Sequence, residues 1–577
     1  MGQHLDILYP QHKYRDLHEL LLNAVARFHD ADAYIVKHGS LREPSYERIT
    51  YARFDSEVAA LATSLTGRGY KDGCPIAVLG KNSYPWALSY FSATAGGNTI
   101  VPLDKALPVN EAGSLLIRSG AKVLFFDREN EDMIRELRDG GTTEVELWVS
   151  MEPCEGFISM EQLIHEGSHM ISRGDDRYDN LEIEPSSLAV ILFTSGTTSK
   201  SKAVMLSHTN LCENVYAFTS CVKLEPGDVN LAFLPYHHTY GAMAGLISML
   251  ACGTTSAFCD GLKHLRNNLV EYHASIFMSV PLLIEALYKK AAARLTRSGI
   301  SDTMKDMLQQ PLEAYSTEER RQAFSEAIDM LGGKLRLIMS GASPADPGAT
   351  DALNKMGILT TQIYGLSETS PGVAIETAAA IRAGSVGKAL PNVDIKIIDP
   401  DEKGVGEIAV KGPNVMLGYF ADPAATAAVI KDGWFYSGDL GRIDEDGYLF
   451  LAGRRKNVIV MKNGKNIYPE ELETLINNLP YVQESMVFTA RKKGRNTGDQ
   501  VLCCKLVYNA DYVRDFFPGE DIAKIADRDI DKINESMPAY KHIKKLIVTD
   551  EPMAKTSTSK IKRFIETDKI LKKAADF

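Results

Sequence analysis

The sequence predicts a large α/β domain, layered from β-sheets and helices, followed by a small α+β domain. Three observations predict it. Apolar, β-rich runs alternate with helical patterns through roughly the first 390 residues. Several of these runs empty into Gly, Pro or Ser turns, as the buried strands of α/β layers do. From Asp394 onward the texture changes to short strands bounded by turn residues, and the junction Gly453-Arg454-Arg455-Lys456 precedes a final stretch of ordinary domain size. A chain of 577 residues is also longer than one hydrophobic core supports.

Taken in order, the N-terminus Met1-Gly2-Gln3-His4-Leu5-Asp6 lacks the regions of a signal peptide, and Asp6 stands where a myristoylation signal needs Ser or Thr. Ile76-Ala77-Val78-Leu79 and Lys122 to Phe126 read as buried strands. Leu188 to Phe193 is another, and it runs directly into Thr194-Ser195-Gly196-Thr197-Thr198-Ser199-Lys200-Ser201-Lys202. A strand that opens into such a loop reads either as a flexible polar turn or as a phosphate cradle, in which Gly196 lets the backbone approach an anion, hydroxyls and amides donate to its oxygens, and lysines neutralise it. The loop is not a Walker A motif, which needs Gly-Lys-Ser/Thr where this chain has Ser201-Lys202-Ala203.

Ala242 to Cys252 is apolar but too short to span a bilayer. Ile276 to Val280 and Leu335 to Met339 read as further strands, the second leading into Ser340-Gly341-Ala342-Ser343-Pro344 at the end of the sheet where α/β folds carry their site loops. Between Tyr288 and Leu331 lies a polar, helix-like stretch, basic early at Lys289, Lys290, Arg294 and Arg297. It reads as a solvated helical connector, with contact to a membrane surface or a partner as the alternative. Asp394 to Asp399, Gly406 to Val410 and Leu449-Phe450-Leu451 have short-strand character. The boundary falls at the Gly-plus-charge junction, giving domains 1–454 and 455–577. Beyond it, Val458 to Met461 precedes Asn463-Gly464, and Pro469-Glu470-Glu471 opens a helix expected to put Leu472, Leu475 and Ile476 on one face.

Composition sets further bounds. Shares of 45% apolar and 24% charged residues are those of a soluble globular protein, and a net charge of −11 argues against general nucleic-acid binding. Eight cysteines without a CxxC pair read as reduced thiols rather than a disulfide or zinc framework. The expected location is cytoplasmic, with peripheral contact at a membrane left open.

Five segments in a fixed order make the chain resemble the adenylate-forming (AMP-binding) superfamily, closest to fatty acyl-CoA synthetases of the medium/long-chain type. Thr194 to Lys202 is similar to the superfamily's phosphate-binding signature, with Ser199, Ser201 and Ala203 where Gly, Pro and Gly are usual. The resemblance assigns Thr194, Ser195, Gly196, Thr197, Thr198 and Lys202 to the phosphates of ATP. Leu234-Pro235-Tyr236-His237-His238-Thr239-Tyr240-Gly241 resembles the segment beside the carboxylate substrate, with His238 as the recurrent histidine. Tyr364-Gly365-Leu366-Ser367-Glu368-Thr369 resembles the segment that, with Gly341, Ala342 and Ser343, holds adenine. Glu368, assisted by Thr194, is the Mg²⁺ ligand it implies, and one carboxylate suffices because Mg²⁺ keeps phosphates and waters as its other ligands. Trp434-Phe435-Tyr436-Ser437-Gly438-Asp439 resembles the ribose-binding segment, where Asp439 accepts from two hydroxyls and Arg454 adds a contact. Lys456 falls on the superfamily's hinge, Gly464 on the loop that lines the pantetheine tunnel, and Lys560, in Ala554 to Arg563, on the catalytic lysine. Ser559 replaces the common glycine.

The resemblance implies a large N-terminal domain with a mobile C-terminal lid. The reaction it implies is adenylation of a fatty acid by ATP, with loss of pyrophosphate, followed by acyl transfer to CoA with release of AMP. Alternatives are an aryl acid as donor, a carrier protein as acceptor, or a binding protein with impaired catalysis, the last motivated by Ser199, Ser201, Ala203 and Ser559.

Overall fold

In the computed structural model of the chain, residues 4–40, 42–194, 201–343, 345–461, 466–491, 500–555 and 561–573 are described. Two large sheets dominate the N-terminal domain. The first has nine strands and runs, in spatial order, Lys388–Ala389, Gly372–Ile375, Leu359–Gly365, Leu337–Ser340, Ile276–Ser279, Val229–Ala232, Thr255–Phe258, Asp32–Gly39, Pro44–Thr50. Its centre is parallel and its edges are antiparallel. The second has eight: Gly418–Tyr419, Lys202–Ser207, Leu188–Thr194, Thr99–Leu103, Pro75–Leu79, Val123–Phe126, Leu147–Ser150 and Ile158–Ser159. Here too the parallel strands carry continuous apolar runs, Leu79, Val101, Leu124 and Phe126 being at most 1% exposed, because helices cover both faces. One cluster spanning both sheets, from Leu5 to Leu449, forms the main core.

Antiparallel strands Asp394–Ile398, Gly406–Lys411, Trp434–Ile443, Ile430–Lys431 and Leu449–Arg454 form a third sheet, as the change of texture at Asp394 anticipates. The C-terminal domain is separate in its packing. Strands Val482–Arg491, Gln500–Tyr508 and Ile543–Thr549 form its sheet, and its clusters draw on residues from Ile459 to Ile570 alone. No helix among the described residues is long and apolar enough to cross a membrane.

Two expectations are corrected. The stretch before Leu331 is not a solvated connector. Its helices Pro281–Ser298, Asp302–Gln309, Thr317–Ala323 and Ser325–Asp329 bury Leu283, Leu287, Ala291, Leu295, Met307 and Phe324 in a core of their own with the nine-stranded sheet. Apolar residues at four-residue spacing, 283, 287, 291 and 295, supply the buried stripe beneath the basic surface. Arg320, 2% exposed, ties the group together by donating to the carbonyls of Met307, Pro311, Leu312 and Lys355. On the helix Pro469–Asn477, Leu472 and Ile476 are buried as expected, but Leu475 is 40% exposed and Glu473 takes the inward position. At 100° per residue Glu473 and Leu475 lie equally far from the midpoint of Leu472 and Ile476, so spacing does not choose between them. Glu473 turns inward because its carboxylate accepts from the Val487 amide at 2.6 Å and pairs with Arg563.

Candidate active site

The site is built outward from residues 364–368, where the strand Leu359–Gly365 ends and a short 3-10 turn, Ser367–Thr369, begins. Gly365 permits this exit: an added Cβ would lie 1.9 Å from the Pro371 carbonyl oxygen. Three contacts radiate from the segment, each to a different part of the chain.

The first joins Tyr364 to Asp439 and Arg454. Tyr364 donates its hydroxyl to Asp439 Oδ2 at 3.1 Å, while Arg454 Nε lies 3.0 Å from Oδ1. Sheet register produces this: Asp439 and Arg454 sit opposite each other on Trp434–Ile443 and Leu449–Arg454. Burial, reinforced by the Asp439 carboxylate, holds the Tyr364 phenol well above its ordinary value, so it stays a donor. Glu407 braces the turn beside Asp439, accepting from the Gly438 amide at 3.1 Å and pairing with Arg455 at 2.7 Å.

The second joins Ser367 to the histidine segment, through Thr239 Oγ1 at 3.3 Å from Ser367 Oγ. Asn82 holds that segment by donating to the Leu234 carbonyl at 2.7 Å and accepting from the Tyr236 amide at 2.9 Å. His238 is the N-cap of the helix that Thr239 begins, and its ring lies 4.2 Å from that of His237. Burial pushes His237 below the ordinary imidazole value; Asp104, 3.7 Å away, offsets only part of this. The helix continues through a π turn, Met243–Ile247, a distortion common at functional sites. Behind Thr239 lies an apolar void of about 10 Å³ between Tyr90, Leu192, Leu206, Leu211 and Ala242. Tyr240 crosses to the Met339 carbonyl at 2.9 Å, and Gly341 is small because a Cβ there would fall 2.6 Å from the Tyr240 ring. Ala342, at φ +73°, and Ser343 are exposed on the turn that follows.

The third joins Glu368 to the stem of the phosphate loop. Tyr419 donates to Glu368 Oε1 at 2.9 Å, and Lys202 Nζ stands 4.3 Å above the Tyr419 ring. Lys202 is paired in register with Thr194 across the antiparallel strands Leu188–Thr194 and Lys202–Ser207. Arg118 clasps the same stem, donating to Ser201 Oγ at 3.0 Å and to its carbonyl at 2.7 Å.

The structure therefore brings together Thr194, Lys202, Tyr364, Gly365, Ser367, Glu368, Asp439 and Arg454, with His238 and Gly341 alongside through Thr239 and Tyr240. Lys456 is exposed in the 3-10 turn Arg455–Asn457. Ser195, Gly196, Thr197, Thr198, Gly464 and Lys560 lie outside the described residues. The flanks of the last are ordered by pairing: Lys555 bridges to Ile561 and forms an ion pair with Glu484 at 2.7 Å, and Arg563 pairs with Glu473.

Sequence reasoning misses Tyr419, Asn82, Glu407 and Arg118. A lone Tyr in Gly418-Tyr419 or a lone Asn in a turn carries no periodic or spacing signal; tertiary pairing, Tyr419 opposite Val204, is what delivers it.

Residues 21–420 match the AMP-binding enzyme family, and residues 456–570 match the AMP-binding enzyme C-terminal domain. The long-chain-fatty-acid--CoA ligase FadD15 of Mycobacterium tuberculosis is 28% identical over 459 residues, covering 76% of this chain and 75% of that protein. The indoleacetate--CoA ligase of Aromatoleum aromaticum is 30% identical over 449 residues, covering 76% and 80%. ATP-bound MatB from Rhodopseudomonas palustris shares the fold at a TM-score of 0.74 and 23% identity, covering 96% of this chain and 99% of that one. The chain belongs to the AMP-binding enzyme family.

Proposed function

We propose that the protein is an ATP-dependent acid–CoA ligase whose donor is a fatty acid: it adenylates the carboxylate, releases pyrophosphate, and passes the acyl group to the thiol of CoA with release of AMP. The observation that carries this reading is the convergence on residues 364–368 of groups suited to each part of the reaction: Asp439 with Arg454, Thr239 beside His238, and Glu368 with Lys202.

In this reading Asp439 accepts from the ribose hydroxyls, Tyr364 with Gly341, Ala342, Ser343, Gly365 and Ser367 receives the adenine, and Thr194 to Lys202 receives the phosphates. Glu368 suits a Mg²⁺ ion by its chemistry, a hard carboxylate whose Oε1 accepts from Tyr419, and Thr194 would add a hydroxyl. Bound there, the ion would neutralise the phosphates that an anionic nucleophile must approach. A carboxylate with an ordinary value near 4 is ionised at neutral pH and needs no general base to attack the α-phosphorus. Lys560 supplies the positive charge for the in-line transition state. That role is favoured over Lys555 because Glu484 already holds Lys555. His238 orients the acyl and adenylate oxygens. With the domains divided at 454/455, rotation about Lys456 withdraws Lys560 and brings Gly464 to a tunnel for pantetheine.

The similarity to a long-chain-fatty-acid--CoA ligase supports a hydrocarbon donor; the void of about 10 Å³ behind Thr239 is far smaller than an acyl chain and does not choose the donor. An aryl acid is the second reading, favoured by the similarity to an indoleacetate--CoA ligase. Carboxylate-dependent ATP–pyrophosphate exchange across acids from acetate to oleate, with benzoate and indoleacetate, tests the assignment. A peak at one aliphatic chain length is expected; exchange confined to the aromatic acids would transfer the assignment to the second reading.

A further inference from the structure

We propose that Tyr419 is a positioning residue that fixes the Glu368 carboxylate for its metal ion and ties it to the phosphate-loop lysine. This deepens the reading above and rests on Glu368 being the metal ligand.

Tyr419 is 4% exposed and reaches the site from outside the segments that carry the chemistry. Its two-residue strand, Gly418–Tyr419, is the edge of the eight-stranded sheet, with Tyr419 opposite Val204 and Gly418 opposite Met205. A second tether comes from the following helix: the Tyr419 amide donates to Thr426 Oγ1 at 2.8 Å. A Cβ at Gly418, whose φ is +142°, would meet Thr426 Cγ2 at 2.8 Å, so the close seat of this strand on the helix requires glycine. The backbone is thus held from two sides before the side chain acts.

The side chain then touches two charged groups. Its hydroxyl donates to Glu368 Oε1 at 2.9 Å, and its ring face lies 4.3 Å from Lys202 Nζ. The backbone of Glu368 is fixed by the same segment, its carbonyl accepting from the Met416 amide at 2.9 Å. One carboxylate oxygen is therefore occupied and oriented by the phenol, which aims the other. The ring sets the height of Lys202 at the same time. A single side chain spaces the cation that meets phosphate and the anion that meets the metal, and hydrogen-bond partners of ligating carboxylates typically account for about 10–100-fold in metal affinity.

The test compares Tyr419→Phe, which keeps the ring under Lys202 and removes only the hydroxyl, with Glu368→Gln in the full-length chain. Two readouts are taken: the half-saturating Mg²⁺ concentration for pyrophosphate exchange at saturating ATP, and Mn²⁺ binding to the protein–ATP complex by electron paramagnetic resonance. The expected result for Tyr419→Phe is a ~10-fold rise in both metal constants, with kcat recovered at high Mg²⁺ and metal-free ATP binding unchanged. Glu368→Gln should weaken the metal more, without recovery. Unchanged metal constants in Tyr419→Phe beside a large change in Glu368→Gln would overturn the role of Tyr419. Unchanged constants in both would overturn the metal reading itself, and a fall in metal-free ATP affinity for Tyr419→Phe would place its role on the nucleotide instead.

Discussion

Two buried glutamates, one in each domain, are held in opposite ways. Glu376, beside the strand that carries Tyr364, accepts only from the backbone amides of Gln362 and Arg382, and burial raises its carboxyl to about 7. Glu566, on the C-terminal helix Arg563–Lys573, is equally buried, but Lys505 at 2.8 Å and Lys569 at 2.9 Å override the effect of burial and lower it to about 2. The contrast extends to the surroundings. In the N-terminal site, sheet register places the ion pair of Asp439 with Arg454, whereas the residues flanking 556–560 are tied to the rest of the C-terminal domain by ion pairs of Lys555 with Glu484 and Arg563 with Glu473.

The sharpest way to break this comparison is functional. Lys560→Ala should slow adenylation about 10²–10³-fold and leave thioester formation from supplied acyl-adenylate largely intact. Asp439→Ala should impair both steps if, as proposed, Asp439 holds the ribose throughout. Equal damage to both steps by Lys560→Ala would erase the division of labour.

Next in size are two stability effects. Gly365→Ala drives a Cβ against the Pro371 carbonyl, so it should cost about 1–3 kcal/mol and lower ATP affinity, measured by denaturant titration and calorimetry. Glu566→Gln should cost on the order of 2–3 kcal/mol at pH 7 and register as faster hydrogen exchange within residues 466–573 only. The direction with pH follows from its depressed value. The stabilisation is present above the unfolded carboxyl value near 4.5 and is lost as pH falls toward 2, so exchange in wild type should rise over that window and converge with Glu566→Gln at its lower end. A wild-type C-terminal domain indifferent to acid in that range would remove the ion-pair account. The smallest effect sharpens the comparison from its bland side: Leu475→Ala, on the exposed face of its helix, should change stability by less than about 0.5 kcal/mol.

The layered α/β domain, the change of architecture at Asp394 and the helix opened by Pro469 were all legible in the sequence, because long apolar runs and proline at a first helical turn are local signals. Tyr364, Glu368, Asp439, Arg454 and Lys202 were legible as motif positions, and the structure gathers them. Tyr419 and Asn82 were not, since their importance arises from strand pairing and a loop crossing between segments more than 150 residues apart. The insert before Leu331 misled for a related reason. Its basic surface residues outnumber the stripe of Leu283, Leu287 and Leu295 to the eye, yet burial follows the stripe.

The most direct test of the central claim is to follow nucleotide products with a fatty acid, first without and then with CoA. The account predicts pyrophosphate exchange without CoA, and stoichiometric AMP and acyl thioester only once CoA is added. Acid-dependent formation of ADP and phosphate, or AMP release indifferent to any thiol, would contradict it.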